Sequence, residues 1–151
     1  MEKQSIKERI NDKILEIEQF REQLFEMIPE NIELEDYKRD LKTKAICERY
    51  SEKIIEAIED LAFLLVNYKG LKYPEYEKEV FDILHENNII SEILAKKLKG
   101  AKGMRNIIAH QYGKIDDEII FESITEQLDK DISEFLKISL EIFKPQKSED
   151  F

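Results

Sequence analysis

The sequence predicts an all-α protein, an antiparallel bundle of four to five helices. Apolar residues recur at steps of three, four and seven through most of the chain, the period of a helix with one buried face. Gly (4) and Pro (3) are scarce among 151 residues, so turns are few and the elements between them are long. No stretch of useful length alternates apolar and polar residues as a half-buried strand does.

Ile6, Ile10, Ile14, Ile17, Leu24 and Ile28 define a first helix, roughly Ser5 to Met27, closed by Pro29. A second runs roughly from Glu35 to Tyr68, with Gly70 as its stop. Its main stripe is Ile46, Tyr50, Ile54, Ala57, Leu61, Leu64, Leu65 and Tyr68. Ile55, Phe63 and Val66 lie off that stripe, so its second half is expected to be covered on two sides, by other helices or by a second subunit. Residues 69–74 form a linker. Val80, Phe81 and Leu84 mark a shorter third helix ending at Asn87-Asn88. Ser91 is the expected N-cap of a fourth that runs to about His110. Asp116 or Asp117 starts a fifth, carried by Ile119, Ile120, Ile124, Leu128, Ile132, Phe135, Leu136, Leu140 and Phe143 and ended by Pro145. One domain over residues 1–145, with a loose tail at 146–151, accounts for the whole chain.

Composition narrows the function classes. The single cysteine, Cys47, excludes an internal disulfide, suits a reducing cytoplasm and falls on the apolar stripe as a core residue. No secretory signal is expected, because residues 1–4 run straight into a charged amphipathic pattern. The longest apolar run, Leu61 to Val66, is far too short to span a bilayer, so no membrane partner is expected. There is no Cys/His cluster at zinc spacing, no P-loop and no G-x-G-x-x-G, and neither metal nor cofactor is expected. A net charge of −10 argues against binding nucleic acid with the whole surface. The bases are nevertheless unevenly placed. Ile93 to Ile115 contains no acid and includes Lys96, Lys97, Lys99, Lys102, Arg105 and Lys114, and Tyr37 to Lys53 is also enriched in bases.

That acid-free stretch contains the pattern R-x4-H-x-Y, formed by Arg105, His110 and Tyr112, with Asn106 directly after the Arg. A guanidinium holds phosphate through a planar fork of donors. An imidazole, with an unperturbed pKa of about 6.5, moves a proton near neutrality. The motif resembles the signature of HEPN domains, and the Tyr two residues after the His resembles the HepT-like branch. The resemblance extends to the chain length and the all-helical layout. It implies a HEPN-like bundle and a metal-independent ribonuclease of the toxin type. It also implies a homodimer with two motifs facing one cleft, an RNA substrate, and a minimal nucleotidyltransferase antitoxin as partner. Arg105 and His110 would be catalytic, Asn106 supporting, and Tyr112 the acceptor of AMP from the partner.

On a helical wheel Arg105 falls among Leu94, Leu98, Ala101 and Ile108. An unpaired guanidinium is costly there, so it must meet an acid of the second helix, a subunit interface or a ligand. Lys96, Lys99, Asn106 and His110 share another side, with Lys102 at its edge. These lysines are candidates for tracking an RNA backbone, or are simply solvated. Arg105 and His110 are about 140° apart on an ideal helix. They cannot face one ligand squarely unless the helix end unwinds or a second copy contributes. Gly100 and Gly103 permit close approach of another backbone or a phosphate. His110 could also serve only as a C-terminal partner of the helix dipole. Tyr112 reads otherwise as a boundary packing residue, and His85 as a helix-end residue. The alternatives to the nuclease are a non-catalytic HEPN module that binds a nucleotide or a nucleotidyltransferase, and a purely structural bundle.

Overall fold

The structure, a computed structural model, describes residues 2–72, 79–110 and 115–142. The helices are α1 (Glu2–Met27), α2 (Leu34–Arg39), α3 (Leu41–Tyr68), α4 (Val80–Glu86), α5 (Glu92–His110), α6 (Asp117–Glu122) and α7 (Leu128–Glu141). A π-helical turn, Ser123–Gln127, joins α6 to α7. No strand occurs among the described residues, and the all-α bundle follows as the sequence predicts. Pro145 and the tail from 146 onward lie outside the described residues.

Three boundaries differ from expectation. α1 begins at Glu2 rather than near Ser5. The expected second helix is two helices, because Asp40 interrupts it at φ −93° and ψ 93°. Asp40 accepts hydrogen bonds from the Thr43 amide at 3.3 Å and the Thr43 hydroxyl at 2.7 Å. A carboxylate that offers acceptors to the next turn competes with continuing the helix and favours starting a new one. The expected fifth helix is continuous but contains the π-turn. The other caps match: the Ser91 hydroxyl accepts from the Leu94 amide at 3.0 Å. Gly70 ends α3 at φ +67°, with the Leu71 amide donating to the Val66 carbonyl at 3.0 Å.

α3 is the centre. Ile54, Leu61, Ala62, Leu65 and Val66 are at most 1% exposed. α1 packs antiparallel along it, because Lys13 reaches Asp60 at 3.5 Å while the Tyr50 hydroxyl reaches Gln23 at 3.1 Å. α5 also packs antiparallel along it, since Lys102 pairs with Glu59 and Arg105 with Glu56. α7 closes the bundle against α1 and α5. Arg21 donates to Asp129 at 2.6 Å and to Ser133 at 2.8 Å, and Lys97 meets Asp131 at 3.6 Å. Phe81 of α4 and Phe135 of α7 meet edge to face, with ring centroids 6.3 Å apart. Cys47 is a core residue, and burial pushes its thiol pKa up to about 12.

The Thr43 hydroxyl, aided by backbone donors, holds the Asp40 carboxyl below its ordinary pKa. A lowered folded-state value means that the cap stabilises the fold above the unfolded pKa and is lost as pH falls through the folded one. Asp40→Ala should therefore lower the urea midpoint at neutral pH, and Asp40→Ser should restore most of it. The gap between wild type and Asp40→Ala should close in acid, as read by urea titrations at several pH values.

Candidate functional site

α5 carries the site residues. Leu94, Ala95, Leu98 and Ile108 are buried and fix which side of the helix meets α3 and α7. Arg105 lies at the edge of that buried stripe with its side chain 27% exposed. Its Nη2 is 3.5 Å from Oε2 of Glu56 on α3, and its Nη1 donates to Oδ1 of Asn106 at 3.1 Å. Its Nε is buried and meets no hydrogen-bond acceptor among the described residues. Of the three partners open to a guanidinium in this position, the fold supplies the acid. The pair is loose, because 3.5 Å is long for a charge-assisted hydrogen bond and the Glu56 side chain is 59% exposed. Solvent-exposed pairs of this kind contribute about 0–1 kcal/mol. A phosphate could therefore exchange with Glu56 at small cost and also satisfy Nε.

His110 is the last residue of α5 and is exposed, as is Asn106. The helix stays regular through His110, so unwinding ahead of it does not bring the imidazole round to the guanidinium. The separation of about 140° therefore persists within one chain. Tyr112 lies outside the described residues, as do Gln111, Gly113 and Lys114.

The lysines are placed differently from a free polar stripe. Lys102 bridges Glu59 at 2.7 Å and Glu79 at 2.9 Å. Burial alone would lower its pKa, but hydrogen bonds to these two carboxylates outweigh that and raise it. Lys99 meets Asp82 of α4 at 3.0 Å. Lys96 reaches Glu92 at 3.5 Å on the open surface. Lys99 and Lys102 thus tie α5 to α3, to α4 and to Glu79 at its start. Glu56 and Glu59 are the site residues that sequence reasoning did not single out. The signal lay in the three-residue spacing of acids on the second helix, but only the register of α3 against α5 selects them.

On another side of α5, a groove of about 370 Å³ is lined by Gly100, Gly103, Met104, Ile107, Ile115 and Ile119, among others. A side chain added at Gly100 or Gly103 would meet nothing within 4 Å. Ile107 is 38% exposed and Ile119 is 56% exposed. Two glycines and exposed isoleucines form an apolar face that no described residue covers.

A regular helical bundle with an Arg and a His five residues apart at the end of one helix defines a class, and the comparisons identify it. The family model for HepT-like ribonucleases matches residues 10–138, and the chain belongs to that family. The mRNA nuclease HepT of Shewanella oneidensis is 28% identical over 87 residues, covering 58% of this chain and 65% of that protein. The tRNA nuclease HepT of Aphanizomenon flos-aquae is 33% identical over 98 residues, covering 64% of this chain and 65% of that one. The chain thus spans just under two thirds of the length of these curated relatives. A solved structure of the tri-AMPylated HEPN toxin of S. oneidensis in complex with its MNT antitoxin superposes with a TM-score of 0.76 at 23% identity. It covers 85% of this chain and 94% of that one, and this likeness establishes the shared fold.

Proposed function

We propose that the chain is a metal-independent endoribonuclease, the toxin of a pair whose antitoxin is a minimal nucleotidyltransferase, and that it works in the cytoplasm as a homodimer. The observation that carries this reading is Arg105. It is a guanidinium at the edge of the core whose acid partner is loose, in a chain of the HepT-like family. Phosphate at Arg105 would gain a fork of charge-assisted hydrogen bonds. His110 would take the proton of a ribose 2′-hydroxyl as that oxygen attacks the adjacent phosphorus. The bond from phosphorus to the 5′-oxygen breaks, and the leaving oxygen takes a proton from the acid form of a second imidazole. Arg105 would stabilise the charge that grows on the phosphoryl oxygens. Asn106 would hold the guanidinium in plane through its 3.1 Å hydrogen bond. RNA is the substrate because DNA lacks the attacking hydroxyl. Lys96, Lys99 and Lys102 remain backbone candidates, the last two only by exchanging their acids for phosphate.

A second copy would supply the second imidazole. The groove at Gly100, Gly103, Ile107 and Ile119 is the face that would seat it, because glycines admit a close helix and the isoleucines supply apolar area. A rival reading is a non-catalytic module that binds a nucleotide or the transferase. Its support is that Lys99, Lys102 and Arg105 are all held by acids in a chain of net charge −10.

Arg105→Ala and His110→Ala should each abolish cleavage of RNA in the presence of a chelator, a loss of at least about a hundredfold. The helical circular dichroism spectrum should not change. Full activity of both purified variants would refute the catalytic assignment and leave the binding module.

Sedimentation at micromolar concentration should show a dimer. Gly103→Ile should leave the monomer fold intact, because its space is open, while dissociating the dimer and abolishing cleavage together.

Tyr112 is seven residues from Arg105, within about 20° of it on a continued helix. AMP attached there would bring a phosphate to the guanidinium and block the cleft. Incubation with the partner transferase and ATP should add AMP mass to the peptide containing Tyr112 and silence cleavage. Modification elsewhere, or a modified protein of full activity, would overturn this role.

A further inference from the structure

The exposed residues of α3 are Leu41 at its start and a stripe of Lys42, Ala45, Arg49, Glu56, Asp60 and Phe63. Lys42, Arg49 and Glu56 are seven residues apart in turn. Each step therefore advances about 10.5 Å along the helix and drifts only about 20° around it. The stripe changes sign along its length. Its C-terminal half presents Glu56 and Asp60, and its N-terminal half presents Lys42 and Arg49, with exposed Arg39 just ahead of the Asp40 cap. The change of sign falls at Glu56, the residue that meets Arg105.

The cations of this half differ from those of α5. Arg39, Lys42 and Arg49 form no salt bridge among the described residues, whereas Lys99 and Lys102 each hold a carboxylate at 3.1 Å or less. Asp40 lies close to Lys42, and its carboxylate is engaged by Thr43. Lys44, the remaining base of this turn, is committed to Asp117 at 2.9 Å on another side of the helix. The N-terminal end of a 28-residue helix adds its positive dipole to the same region.

From these features we infer that Arg49 and Lys42, continued by Arg39, form the track that holds the phosphate backbone of single-stranded RNA on its way to Arg105. The strand leaves Arg105 toward the N-terminal end of α3. The other way along this stripe lies Asp60, whose charge Lys13 offsets only in part at 3.5 Å, so that direction is less favourable. The inference rests on the ribonuclease reading and adds to it a path and a direction. The phosphate that displaces Glu56 at Arg105 is followed by phosphates at Arg49 and then Lys42. Long flexible side chains at steps of about 10.5 Å contact the backbone without reading bases, so the track contributes affinity without sequence preference.

The test is binding of a 2′-O-methylated single-stranded RNA, which lacks the attacking hydroxyl, to the full chain, followed by fluorescence anisotropy across a decade of salt concentration. Arg49→Ala and Lys42→Ala should each weaken binding on the order of fivefold near 0.1 M salt and lower the salt slope by about 0.7. Lys137→Ala, in the groove between α1 and α7, should change neither. If wild type binds, Arg105→Ala weakens binding, and the two α3 variants bind with the wild-type slope, the track is wrong and the nuclease reading stands. If wild type binds no RNA, both fall. If the α3 variants keep RNA binding but lose the nucleotidyltransferase, the surface belongs to a protein partner and the track is overturned.

Discussion

The burial of α3 is the constraint on which the rest of the structure depends. A helix apolar on nearly every side cannot be covered by one neighbour, so α1 and α5 must lie along it, and α4 and α2 against its ends. Each covering helix turns its own apolar face inward and has only its flanks for polar work. On α5 one flank holds the lysines that clasp acids, and the other holds the glycines and isoleucines. Arg105 sits at the seam between the buried face and the solvent. That seam makes a guanidinium both oriented and replaceable: buried enough to lose water at Nε, exposed enough that its carboxylate partner is weakly held.

The charge of the chain has to be read by location. A net of −10 describes a surface hostile to RNA on average, yet many acids are already committed to bases. Glu59, Glu79 and Asp82 fix α5 in place through Lys99 and Lys102, and Asp129 and Asp131 hold α7 to α1 and α5. These contacts hold helix register more than they add stability, since pairs near the surface contribute little each. Against that background Arg39, Lys42 and Arg49 form a positive patch with no acid partner among the described residues.

Much of the fold was legible in the sequence, for a specific reason. Apolar spacing gives the angular phase of a helix directly, so the stripes of α1, α3 and α5 and the caps at Ser91 and Gly70 could be located. The break at Asp40 was missed because no Gly or Pro marks it, and only the side-chain hydrogen bonds to Thr43 reveal two helices. The motif at Arg105 and His110 was legible as residue types at a spacing. Its surroundings were not, because phase says which way a side chain points but not which residue of another helix waits there. Glu56 opposite Arg105 and Glu59 opposite Lys102 depend on the register of two antiparallel helices. The open stripe of lysines expected on α5 became, at Lys99 and Lys102, a pair of clasps for the same reason, while Lys42 and Arg49 on α3 form no salt bridge among the described residues.

The π-turn at Ser123–Gln127 has a geometric consequence. Ile120, Ile124, Leu128 and Ile132 are all buried and are spaced four residues apart. In a regular helix of 3.6 residues per turn, each such step overshoots the axis line by about 40°, so three steps would carry the last residue well off the face of the first. A turn with i→i+5 bonds is wider and underwinds the helix, cancelling part of that overshoot. The last helical segment thus behaves as a vernier, in which one slack turn resets the angular scale so that a ladder with steps of four stays aimed at the core. Its two halves can then answer to different neighbours: α6 follows α2, where Tyr37 and Phe121 meet with ring centroids 5.3 Å apart, while α7 follows α1 and α5. A straight α-helix of the same sequence could satisfy only one of those alignments.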